Sequence, residues 1–68
     1  MINETDDSGA QLGTLVHALR TPLTIVEGFA DALARRGEQM SVAERAEYVE
    51  RIGEAAREMR ELLDGVRR

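Results

Sequence analysis

The chain has no cysteine, no tryptophan and no lysine, and only one each of histidine, proline, phenylalanine and tyrosine among its 68 residues. Without cysteine there are no disulfides and no thiolate ligands, and a single histidine cannot build a metal site alone. No metal is therefore expected. One Phe and one Tyr exclude an aromatic platform for stacking bases. All nine basic residues are arginine; they are scattered rather than clustered, which reads as codon bias rather than function. With a net charge of −4, the chain lacks the basic face that neutralises phosphates, and nucleic-acid binding is not expected. No apolar run approaches the roughly 18 residues that a bilayer span needs. The opening "MINETDDSGA" is polar and acidic, unlike a signal peptide.

What is present fits one small domain. A core of this size rarely supplies more than about 3–5 kcal/mol, and self-association is the expected source of further stability. Residues 1–10 read as a flexible lead-in or junction, with Asp6, Asp7 and Ser8 as candidate N-cap groups. From Leu12 the apolar residues recur at helical spacing. With Leu12 at heptad position a, the a positions are Leu12, Leu19, Val26 and Leu33, and the d positions are Leu15, Pro22 and Phe29. Val16, Leu23 and Ala30 at e broaden the stripe beyond a two-stranded seam, as a bundle requires.

The segment "RRGEQMS" interrupts this pattern. Arg35 and Arg36 suit a helix C-terminus, and Gly37 is placed to supply a left-handed terminating residue. Ser41 and Glu44 form a capping box that starts a second helix. Its stripe is Val42, Val49, Ala56 and Leu63 at a, with Ile52, Met59 and Val66 at d and Ala46 and Leu62 flanking. Arg45 takes the remaining d position near the turn, with its head expected to reach solvent. The reading is all-α: helix one over about 11–36, a loop over 37–41 and helix two over about 42–67. Two helices of about 25 residues, each roughly 38 Å long, joined by so short a loop run antiparallel. One hairpin cannot cover two broad stripes, whereas two hairpins can, as a homodimeric four-helix bundle.

In this frame His17 is at f, on the polar face, with Thr24 and Asp31 also at f, Arg20 at b and Thr21 at c. An exposed histidine alone carries no function. Pro22, however, removes the hydrogen bond to the carbonyl of Ala18 and is expected to bend the helix beside the imidazole. Imidazole is a nucleophile whose pKa lies near neutrality, and Arg20 can pair with a phosphate or carboxylate. Met59 and Phe29 read as core, and Tyr48 at g as bundle edge. Gly28 either leaves a flat patch for a partner or is incidental. Glu47 with Arg51, and Glu54 with Arg57, read as solvated pairs.

"HALRTPL", residues 17–23, resembles the H-box "H-E/D-L-R-T-P-L" of the dimerisation and histidine-phosphotransfer domain of bacterial sensor histidine kinases. "TIVEGFADAL" and "AEYVERIGEAAREMRELLDGVRR" resemble the rest of that domain's two helices, so the likeness covers Leu12 to Arg68. The resemblance implies that His17 is the phosphoacceptor. A separate catalytic domain holding ATP and Mg²⁺ would phosphorylate it, and a response-regulator receiver aspartate would take the phosphoryl group. Thr21 matches the position that orients water in the phosphatase reaction; Arg20 and Pro22 match as they stand. Helix one beyond His17, with early helix two, would dock the regulator.

Two departures stand out. Ala18 replaces the usual Glu or Asp, whose carboxylate activates the imidazole. Glu58, Glu61 and Asp64 are candidate substitutes, because a hairpin centred near Gln39 sets His17 level with about Glu61. No ATP-binding sequence is present either, so the segment is expected to be inactive alone. It reads as one domain of a longer cytoplasmic sensor kinase, whose parent protein is free to be membrane-anchored. Two other readings are a dimerisation scaffold that has lost phosphotransfer and a standalone histidine phosphotransferase relay.

Overall fold

The computed structural model describes residues 3–66, and the side chains of residues 9–65. Helix α1 spans Asn3–Arg36, a 3-10 turn covers Gly37–Gln39, and helix α2 spans Val42–Val66. The two helices pack antiparallel as a hairpin, and no strand occurs among the described residues.

The closed end is built from local sequence. Arg35 and Arg36 occupy the last turn of α1, and Arg35 pairs with Asp31 at 3.2 Å on the exposed face. That i,i+4 pair is worth about 0.3–0.5 kcal/mol. Gly37 is not in the left-handed conformation expected of it. The chain instead tightens into the 3-10 turn, where the Met40 N–H donates to the Gly37 carbonyl at 3.2 Å. Met40 is extended (φ −87°, ψ 150°) and turns the chain into α2. Ser41 and Glu44 form the capping box: each backbone N–H donates to the other's side-chain oxygen at 3.0 Å. Ser41→Ala is expected to cost about 1 kcal/mol, read as a lower thermal midpoint with unchanged helix content at low temperature.

Arg45 departs from expectation. Its guanidinium folds back and donates to the Gly37 carbonyl at 2.7 Å and the Met40 carbonyl at 3.2 Å. The turn has no other side chain to satisfy those carbonyls, and a charged donor there outcompetes water. Met40, expected only to break the pattern, is 7% exposed and plugs the end of the hairpin.

Helix α1 begins at Asn3 rather than near residue 11, so residues 3–10, expected to be a flexible lead-in, continue the helix. No proline interrupts them, and Asp6, Asp7 and Ser8 sit within α1 instead of capping it. Their side chains, with residues 1–2 and 67–68, lie outside the described residues.

Along the hairpin, α1 meets α2 through the expected a and d positions: Leu15, Leu19, Pro22, Val26, Phe29 and Leu33 are buried or half-buried. Pro22 is less than 2% exposed, and α1 runs unbroken through it. Its ring is thus a packing element of the seam as well as a missing donor. Helix α2 presents d and g instead of a and d. Arg45, Tyr48, Ile52, Ala55, Met59 and Leu62 are buried or half-buried, while Val42, Val49, Ala56 and Leu63 at a are exposed. Tyr48 is therefore in the seam, not at its edge. Its ring meets Phe29 edge to face, with centroids 4.8 Å apart and planes at 74°, a geometry worth about 0.5–1.5 kcal/mol beyond area. That contact sets the register. Seven residues away on either side, Pro22 and Ala55 share a level, and Ala55 is 4% exposed: the large ring lies opposite the smallest neighbour.

The hairpin is thin, with Cα extents of 59 × 20 × 10 Å, one helix deep. It exposes 5511 Å², where a compact protein of its mass exposes about 4,200 Å². On α1, Leu12, Val16 and Leu23 are 61%, 46% and 44% exposed, and on α2, Val42, Val49 and Leu63 are 74%, 58% and 49% exposed. Positions e of α1 and a of α2 lie on the same side of the seam, so these residues form one apolar face.

Candidate functional site

His17, Arg20, Thr21 and Thr24 are all exposed on α1. Their f, b, c and f positions put them on the side away from α2, as the periodicity predicted. Among the described residues, side-chain hydrogen bonds lie between Asp31 and Arg45 at the closed end, and His17 makes none of them. Both ring nitrogens are left to an incoming partner. Ala18, half-buried against the flank of the seam, offers no polar side-chain atom. Pro22 has no N–H for the Ala18 carbonyl, which is left an acceptor one residue from the imidazole.

The candidate substitutes for the missing carboxylate do not reach the ring within the hairpin. Glu58, Glu61 and Asp64 are exposed on α2, and none hydrogen-bonds His17. Twelve positions further along each helix from the Phe29–Tyr48 contact, His17 lies within a turn of both Arg60 and Glu61. The signal was available in the sequence, since the chain's only two aromatic residues are the natural cross-seam pair.

Two turns beyond the imidazole, Thr24, Ile25, Gly28, Phe29, Ala32 and Tyr48 line an open groove of ≈ 250 Å³. A Cβ built on Gly28 would meet nothing within 4 Å. The hairpin itself therefore does not require glycine there. Of the expected solvated pairs, Glu47 and Arg51 approach to 3.8 Å, whereas Arg57 lies back over Gly53, 3.7 Å from where a Cβ there would stand. Among the described residues no cluster of His, Cys, Asp or Glu could hold a metal ion, and no helix is long and apolar enough to cross a membrane.

The family model for the His Kinase A (phospho-acceptor) domain matches residues 7–68. The chain belongs to that family. The match takes in both helices, the turn and the whole of "HALRTPL". No curated protein and no solved structure shows a significant match to this phospho-acceptor domain. Its family accounts for the helical hairpin and for a histidine-kinase role.

Proposed function

We propose that this His Kinase A domain is the homodimerising phosphoacceptor of a sensor histidine kinase and that His17 carries the phosphoryl group. One observation carries the reading. A phospho-acceptor domain needs an accepting side chain, and the chain's only histidine is exposed on the polar face of α1 within the H-box. In the proposed step, an unprotonated ring nitrogen attacks the γ-phosphorus of ATP held with Mg²⁺ by a separate catalytic domain. The N–P bond forms, the bridging P–O bond breaks and ADP leaves; the imidazolium then loses its remaining N–H proton to solvent. A receiver aspartate oxygen next attacks phosphorus, and the N–P bond breaks. Arg20, one turn from His17, pairs with phosphoryl oxygens. Thr21 orients water in the phosphatase direction, and the groove beside Gly28 lies on the face where the receiver docks.

Homodimerisation is supported by area. The surface in excess of a compact protein's is about 1,300 Å², more than the roughly 800 Å² per partner of a standard interface. A second hairpin laid on the apolar face would cover it and complete four helices. Ala18 favours one further reading, a dimerisation scaffold that no longer transfers phosphate.

Incubation with a family catalytic domain and ATP, or with a phosphorylated receiver domain, separates the two. Wild-type protein is expected to gain an acid-labile, base-stable label that His17→Gln lacks entirely. No label from either donor leaves the scaffold.

A further inference from the structure

The exposed apolar face is self-complementary, and that fixes what a second copy brings to His17. When a two-fold axis runs along the helices, α1 of one copy lies against α2 of the other, and equal levels meet. Positions e of α1 then face positions a of the second α2. The position a nearest in level to Leu23 is Ala56, to Ala30 it is Val49 and to Val16 it is Leu63, each two residues off the exact level. Large side chains meet small ones at the two inner levels, as interdigitated cores require.

In this arrangement the e positions of the second copy's α2 border the outward face of α1. At the level of His17 the nearest such position is Arg60, which is exposed in the single hairpin and makes no ion pair among the described residues. Arg20 at position b leans toward the same edge from α1. Arg57, one turn away, is drawn toward Gly53 and the closed end, so it does not compete for the place. The helices run about 10 Å apart, within reach of a fully extended arginine.

We propose that Arg60 of each copy lies beside His17 of the other and, with that chain's Arg20, holds the phosphoryl oxygens. This rests on the phosphoacceptor and dimer readings above. Arg60 makes and breaks no bond; its planar donors pair with the phosphoryl oxygens as charge builds on them. It is a second-copy contribution to a site that one hairpin leaves half-built, and it makes phosphorylation of this domain an act of the dimer.

Mixed dimers test it, with phosphoramidate as a small phosphoryl donor that needs no catalytic domain. In one pair, an intact chain is joined to a chain carrying His17→Gln and Arg60→Gln. In the other, a chain carrying Arg60→Gln alone is joined to one carrying His17→Gln alone. The first pair should label about tenfold more slowly than the second, the loss of one charge-assisted contact. Arg60→Lys in place of Gln should recover most of the rate, with sedimentation unchanged throughout. The proposal is overturned if the slow pair is the second, or if the pairs label equally. A monomer in sedimentation removes the dimer reading and the proposal with it. Absence of any His17-dependent label removes the phosphoacceptor reading instead.

Discussion

Ala18→Glu is expected to raise the rate of His17 phosphorylation by a family catalytic domain and ATP by about 10²-fold, the lower end of what a positioned general base supplies. His17 is exposed and hydrogen-bonds no carboxylate of its own hairpin. In the proposed transfer, its attack on phosphorus would therefore proceed without a fixed group to take or balance its proton. Ala18 is the natural place to restore one, because it is adjacent in sequence and half-buried at the flank of the seam. A glutamate stem can lie along that flank while its head reaches the imidazole. Ala18→Gln has the same shape without the base and should leave the rate near that of the native protein. Initial rates of label incorporation, with sedimentation to show that assembly is intact, make the comparison. Equal rates for Ala18→Glu and Ala18→Gln would mean that proton removal does not limit transfer.

The second large effect concerns assembly. Leu23→Glu should shift the sedimenting species to the 7.5 kDa monomer and abolish cooperative thermal unfolding. Leu23 is 44% exposed in the single hairpin, so nearly half of it is left for a second copy to cover. In a two-fold dimer the substitution occurs twice. At about 1.5–3 kcal/mol for a whole large apolar side chain, of which under half is left to bury, dimerisation should weaken by about 1.3–2.6 kcal/mol over the two copies, or 10–10²-fold, before any cost of burying the carboxylates. Val49→Glu, on the other half of the face, should act alike. Thr24→Glu, on the outward side of α1, should leave the dimer whole. An unchanged sedimentation coefficient for Leu23→Glu would show that the apolar face is not the interface.

Much of this architecture could be read from residue spacing. The α1 stripe, its end at Arg36, the capping box at Ser41 and Glu44, and the exposure of His17 all follow from local rules acting within one or two turns. Helix α2 did not yield as easily, because it carries two overlapping apolar stripes. One runs through Val42, Val49, Ala56 and Leu63, and the other through Tyr48, Ala55 and Leu62. Both share the d positions, and hydropathy alone cannot say which turns toward α1. Volume decides: Tyr48 meets Phe29, and Ala55 makes room for Pro22 at the same level. The second relation is not visible until the two helices are in register. The fold of the Arg45 head onto the turn was hidden for the same reason. Its acceptors, Gly37 and Met40, are loop carbonyls that no side-chain pattern records. The candidate site inherits this difference. His17 was legible as a position on a helix, whereas Arg60 emerges only once the helices and a second copy are placed side by side.

The concentration of side-chain hydrogen bonds at the turn, all between residues at most eight apart, gives the hairpin a direction in time. Loop closure is cheapest there, so the chain is expected to zip from Met40 outward, with the level of His17 ordered after the turn. Opening runs in reverse. The end that bears the imidazole frays while the turn stays closed, and hydrogen-exchange protection should fall from Ser41 toward Leu12. A domain of this kind is expected to keep its two helices joined at one end while the other breathes, and it is toward the breathing end that the proposed phosphoacceptor sits.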